Sequence, residues 1–204
     1  MSTESTKSLS SLGRPREFDA DLALEKALRV FWEKGYEGAS MADLTAAMGI
    51  NRPSLYSAFG NKESLFRKAM QRYTAGPASY VTRALEMPTA YQMARALLDG
   101  AVDVLSNPGN PGGCLSIQGA LVCGDEAKAI REELVTMRSS TQLAIRERLE
   151  RAKREGELVE ATDVSTLAAY LATVIHGLAV QSAGGSSAAE LRAVADHALL
   201  RFPA

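Results

Sequence analysis

Between residues 18 and 34 the apolar side chains Leu24, Ala27, Leu28 and Phe31 recur at i, i+3, i+4 and i+7, the spacing of an amphipathic helix. Gly35 is placed to stop that helix. Ser40 with Asp43 three residues on has capping-box spacing, Asp standing for the usual Glu, and opens a second helix that ends before Gly49. Asn51 is a good N-cap with Pro53 tolerated in the first turn of the third helix. Gly60 ends that helix, and Asn61 caps a fourth beginning at Lys62. Leu44, Ala47, Ile50, Leu55 and Phe59 supply apolar contacts that hold the short helices at a fixed angle.

Beyond residue 75 the helical pattern continues with other punctuation. Pro77, Pro88 and the loop NPGNPGG (107–113) divide it. Cys114 to Val122 reads as a short helix, and Glu126 to Arg154 as a long charged one ending near Gly156. Asp163 caps a largely apolar helix to about Ala183, Gly184-Gly185 breaks it, and Ser187 starts a last helix to Phe202. No segment shows sustained strand alternation. The fold class expected is all-α with about nine helices, preceded by a Ser/Thr-rich, disordered arm over residues 1–13.

Composition narrows the picture only slightly. The 204 residues are 46% hydrophobic and 23% charged, ordinary for a globular protein with one large domain or two modest ones. The net charge of −1 carries no global basic field, so any nucleic-acid reading must rest on local placement. Residues 1–62 hold eight Lys/Arg and eight Asp/Glu, so even that region has no net electrostatic pull. The N-terminus lacks the apolar core of a signal peptide. The apolar run Leu167 to Val180, interrupted by Thr173, His176 and Gly177, is shorter than a membrane span. Two cysteines, Cys114 and Cys123, suit a reducing, cytoplasmic setting.

The chemistry sits in residues 40–66. A short capped helix, a glycine turn and a second short helix have the pattern of a helix-turn-helix, which would lay its second helix in the DNA major groove. The alternative is an ordinary small helix with Ser, Tyr and Arg on one face and Tyr56 half-buried. Arg52, Ser54, Tyr56 and Ser57 occupy the first two turns after Asn51, where such a helix meets bases. Arg52 can pair with guanine or hold a phosphate; Tyr56 can bond a phosphate or pack on a thymine methyl. Lys62 and Ser40 stand at helix N-termini, where backbone N–H groups favour phosphate. Arg14 and Arg16, on the flexible arm, can reach an adjacent groove.

Three stretches together carry a resemblance: Gly13-Arg14-Pro15-Arg16, Phe31-Trp32-Glu33-Lys34-Gly35-Tyr36, and Leu55-Tyr56-Ser57-Ala58-Phe59-Gly60-Asn61-Lys62-Glu63-Ser64-Leu65-Phe66. Over about 50 residues they resemble the N-terminal domain of TetR-family transcriptional regulators. The resemblance implies a DNA-binding domain over residues 14–66 and an effector-binding and dimerisation domain over 67–204. It also implies a homodimer, usually a repressor, that binds a palindromic operator in double-stranded DNA and releases it when a small molecule enters the C-terminal domain. Carried over, Ser40, Arg52, Ser54, Tyr56, Ser57 and Lys62 fall where members contact DNA. The run Gly112-Gly113-Cys114-Leu115-Ser116-Ile117-Gln118-Gly119-Ala120-Leu121 is similar to a ComR-like subgroup of the same family.

In that dimer the two recognition helices must stand roughly 34 Å apart, and ligand binding is expected to move the helix that begins at Lys62. The last two helices are the apolar pair suited to a self-complementary interface, through Leu167, Tyr170, Leu171, Val174, Leu178, Leu191, Val194, Ala195 and Leu199. The alternative is that they complete a monomer core. Effector contacts are expected among Met93, Leu97, Cys114, Gln118, Met137, Tyr170 and His176, although apolar residues at such spacing are more often core. Cys123 lies nine residues after Cys114, so one straight helix cannot aim both at one metal. No metal site and no cofactor is expected, and neither is enzymatic activity. The competing readings are a thiol- or metal-responsive sensor using Cys114, an enzyme using Cys114 with His176 as nucleophile and base, and a helical interaction module.

Overall fold

The computed structural model describes residues 18–119, 121 and 124–203. The N-terminal arm with Arg14 and Arg16, and the thiol of Cys123, lie outside the described residues. Ten α-helices follow in order: α1 (Ala20–Gly38), α2 (Met41–Met48), α3 (Arg52–Phe59), α4 (Lys62–Ala75), α5 (Tyr80–Leu85), α6 (Ala90–Leu105), α7 (Leu115–Gln118), α8 (Lys128–Arg154), α9 (Val164–Ala183) and α10 (Ala188–Leu200). Single 3-10 turns precede α5 and α8, and no strand occurs among the described residues.

The local signals act as their chemistry requires. Asp19 accepts from the backbone N–H groups of Asp21 and Leu22 at the start of α1. Gly35 breaks the helical run at φ 70°, and Tyr36 to Gly38 resume it at an angle. Ser40 and Asp43 form a complete capping box, and Gly49 closes α2 in the left-handed conformation. Asn51 caps α3 and Asn61 caps α4, each accepting from the N–H three residues on. Thr89 with Gln92 makes a further capping box that opens α6. Losing one such cap costs about 1 kcal/mol.

Two apolar cores stack along the molecule. The upper core joins Phe31, Trp32, Tyr36, Leu55, Phe59 and Phe66, and it extends onto Leu115, Ala127, Ile130 and Leu134. The lower core joins α6, α8, α9 and α10 through residues such as Leu97, Leu149, Leu171 and Leu191. The expected division at residues 66 and 67 falls inside α4, which runs unbroken to Ala75.

Two expectations are corrected here. The helix expected over 114–122 is a single turn, Leu115–Gln118. The Gly119 carbonyl accepts from the Tyr36 N–H of α1 at 3.0 Å, which turns the chain toward α1. The last helix stops at Leu200, and Phe202 folds back against Tyr91 with ring centroids 6.3 Å apart. The apolar helix is longer than its central run, and by length and composition α9 could cross a bilayer. It packs instead between α6, α8 and α10.

Candidate nucleic-acid interface and effector cavity

Leu55 and Phe59 are buried beneath α3, so the helix offers its other face outward. That face carries Arg52, Tyr56 and Ser57, all exposed, with Ser54 half-buried beside them. Tyr56 keeps 50% of its surface in solvent although it is a large aromatic with no ring partner among the described residues. Such a side chain leaves apolar area available to a partner surface.

The flanking groups are less free. The Ser40 hydroxyl donates to Asp43 Oδ2 at 2.6 Å and accepts from the Asp43 N–H at 3.0 Å. Lys34 Nζ meets Asp43 Oδ1 at 2.7 Å. The Lys34 hydrogen bond, then those from Ser40, hold the Asp43 carboxyl down from 3.8 to about 2. Lys62 is half-buried, its Nζ 4.7 Å above the Tyr36 ring and 3.5 Å from the Glu37 carbonyl. Burial lowers its pKa. Lys62 therefore braces α4 against the end of α1 while standing at the edge of the α3 face.

Below this head lies a cavity of about 190 Å³ between α4, α5, α7, α8 and α9. Of the expected effector residues it brings together Cys114, Met137 and His176. The Tyr73 hydroxyl donates to Cys114 Sγ at 3.1 Å, and Ser116 Oγ lies 3.1 Å from the same sulfur. Burial, then the neighbouring Cys114, pushes the Tyr73 phenol far up, and Tyr80 follows for the same reasons. Gly100 on α6 makes room for Tyr80, since a Cβ there would stand 2.6 Å from its ring. His176 is lowered by burial and then by the Arg138 guanidinium. Cys114 Sγ bonds Tyr73 and Ser116, not His176, so the nucleophile–base pair is not assembled.

The other expected effector residues lie elsewhere. Met93 and Leu97 are fully buried in the lower core. Gln118 borders a separate surface hollow with Arg29 and Pro108, and its Oε1 is buried without a partner among the described residues. Tyr170 lines a shallow groove with Leu167 and Arg201. The residues missed from the sequence are Tyr73, Tyr80, Ser116 and Arg138. Only their polar chemistry at otherwise core-facing helix positions could have flagged them. No group of three or more metal-ligating side chains occurs among the described residues.

The cavity loop is fastened to α1. Trp32 Nε1 donates to the Gly113 carbonyl at 2.9 Å, Tyr36 N–H to the Gly119 carbonyl, and Gly124 N–H to Glu37 Oε1 at 2.8 Å.

For the expected dimer surface the structure separates two groups. Leu171, Leu178, Leu191, Ala195 and Leu199 are buried within the protomer, where they complete its own core. Leu167, Tyr170 and Val174 are half-buried, and Val194 is 51% exposed. Val180 on α9 and Leu200 on α10 are also exposed, at 54% and 80%.

Comparison with known proteins agrees with this geometry. Residues 23–69 match the family model described as bacterial regulatory proteins, tetR family. Residues 91–198 match the tetracyclin repressor-like C-terminal domain. The HTH-type transcriptional repressor ComR of Escherichia coli (strain K12) is 31% identical over 206 residues, covering 100% of this chain and 98% of that protein. The uncharacterized HTH-type transcriptional regulator YezE of Bacillus subtilis (strain 168) is 36% identical over 162 residues, covering 78% of this chain and 84% of its own. A cysteine mutant of the TetR family transcriptional regulator CifR, complexed with 26bp double-strand operator DNA, superposes with a TM-score of 0.89 at 41% identity. That match covers 93% of this chain and 100% of the other.

Proposed function

This chain belongs to the tetR family of bacterial regulatory proteins, whose members are regulators rather than enzymes, and we propose that it is a dimeric, cytoplasmic repressor released from a palindromic operator by a small molecule. The observation that carries DNA binding is the outward face of α3, where Arg52, Tyr56 and Ser57 stand exposed over a buried Leu55 and Phe59. Arg52 is the base reader, with Ser54 and Ser57 as short polar contacts and Tyr56 against backbone or methyl groups. Ser40 and Lys62 flank them on phosphate, and Arg14 and Arg16 add arm contacts.

The dimer forms through the outward faces of α9 and α10, led by Tyr170, Val174, Val180, Val194 and Leu200. The inward leucines keep their place in the protomer core. A two-fold axis through this surface covers the same apolar patch on both copies.

The effector enters the Cys114 cavity. Tyr73 and Thr74, in its wall, belong to the end of α4, whose first residue Lys62 adjoins the DNA face. A 14-residue helix is a rod of roughly 20 Å at 1.5 Å per residue. A ligand that displaces its lower end shifts α3 in each subunit, and it releases DNA only through its different affinity for the two states.

The test is gel-shift titration on duplexes enriched from random DNA by the wild-type protein. Arg52→Ala should weaken binding by about 1–3 kcal/mol and relax selectivity at one base position. Lys62→Ala should weaken every duplex alike and lower the salt slope. Wild-type affinity in both variants would overturn the assignment.

A further inference from the structure

We infer that the effector is a small monoanionic organic acid, whose carboxylate is taken by Arg138 and whose short apolar tail lies against Ile117, Met137 and Ile175. This rests on the Cys114 cavity being the effector site.

The first support is charge. Among the described residues no Asp or Glu lines the cavity, and Arg138 is the one permanently charged side chain in its wall. Among the described residues the other arginines withdrawn from solvent meet acids: Arg67 meets Glu133, Arg72 meets Glu25, Arg148 meets Glu157 and Arg192 meets Asp99. Arg138 has no ion pair among the described residues; its Nη1 donates to the Ser116 carbonyl at 2.5 Å. A half-buried guanidinium without a counter-ion in a cavity wall is costly and favours an anion. Its planar fork matches a carboxylate with two parallel hydrogen bonds.

The second support is the rest of the lining. Ser116, Thr141 and Tyr80 add hydroxyl-bearing residues to the lining, and His176 lines the same space. Burial, then the Arg138 guanidinium, lowers the His176 pKa and so disfavours a second positive charge beside Arg138. Val81, Ile117, Met137 and Ile175 form the apolar remainder. A volume of 190 Å³ is that of roughly six waters, enough for a carboxylate with a short chain or one ring.

The experiment titrates the full-length protein with straight-chain carboxylates from propionate to octanoate and with benzoate, each against its primary amide. Calorimetry reads affinity, protection of Cys114 from iodoacetamide reads location, and fluorescence anisotropy of labelled operator reads release. The expected result is at least one carboxylate that binds tenfold or more tighter than its amide, protects Cys114 and releases DNA. Arg138→Gln should erase that preference at unchanged melting temperature of the free protein, and Arg138→Lys should restore part of it. Equal binding of acids and amides, a preference that survives Arg138→Gln, or no binding by any acid would overturn the inference. Binding with Cys114 protected but no DNA release would uphold the anion site and overturn the effector reading instead.

Discussion

The Trp32 indole N–H donates to the Gly113 carbonyl across 2.9 Å, joining α1 of the DNA-binding head to the loop that carries Cys114, 81 residues away. The bond is buried, and the Trp32 ring stacks edge-on with Tyr73 at 4.8 Å between centroids. Tyr73 in turn donates to Cys114 Sγ. Head, cavity wall and thiol are therefore joined in one contiguous cluster.

Trp32→Phe keeps most of the apolar area but strands the Gly113 carbonyl. The expected loss is about 1–3 kcal/mol of stability, the cost of an unsatisfied buried polar group. Chemical denaturation measures it, and a loss under 0.5 kcal/mol would mean that water replaces the donor.

Asp43 sets an acid limb. Its folded pKa is depressed, so its contribution is complete above the ordinary value of 3.8 and disappears as pH falls toward about 2. Melting temperature should therefore drop across that interval, and less steeply in Asp43→Asn. Identical slopes in the two proteins would remove Asp43 from the account.

Val194→Glu places a charge on the outward face of α10. Dimers should dissociate to folded monomers in sedimentation, with helical content unchanged, because Val194 is 51% exposed in the protomer. Leu191→Ala, a buried position one turn earlier on the same helix, should instead cost about 2–5 kcal/mol by opening a core cavity. A Val194→Glu protein that stays dimeric would place the interface elsewhere.

Leu97 separates core from pocket. Leu97→Ala should lower stability by about 2–5 kcal/mol while leaving the affinity of a Cys114-protecting ligand unchanged. A tenfold change in that affinity would bring Leu97 back into the effector site.

Much of the head was legible in the sequence because caps are local. Ser40 with Asp43, Asn51 with Ser54, and Asn61 with Ser64 bond across three residues, so spacing alone predicts them. Arg52, Tyr56 and Ser57 followed, since a helix with buried Leu55 and Phe59 must present them outward. The short α7 was not legible. Its end depends on the Tyr36 N–H reaching the Gly119 carbonyl, a contact between residues 83 positions apart. Nor was the cavity, because Tyr73, Tyr80, Cys114, Arg138 and His176 come from separate segments and meet only on packing.

By itself the sequence determined the order of helices, their capped starts, their glycine stops and the polar face of α3. These follow from hydrogen bonds and periodicity within a few residues. Tertiary structure alone decided how α9 and α10 divide their apolar surface, because a helix apolar on nearly all sides has no period that marks its inward face. Packing against α6 and α8 turned Leu171 and Leu178 inward and left Val180 outside. The same packing set Arg138 beside His176 with no acid in the cavity wall among the described residues.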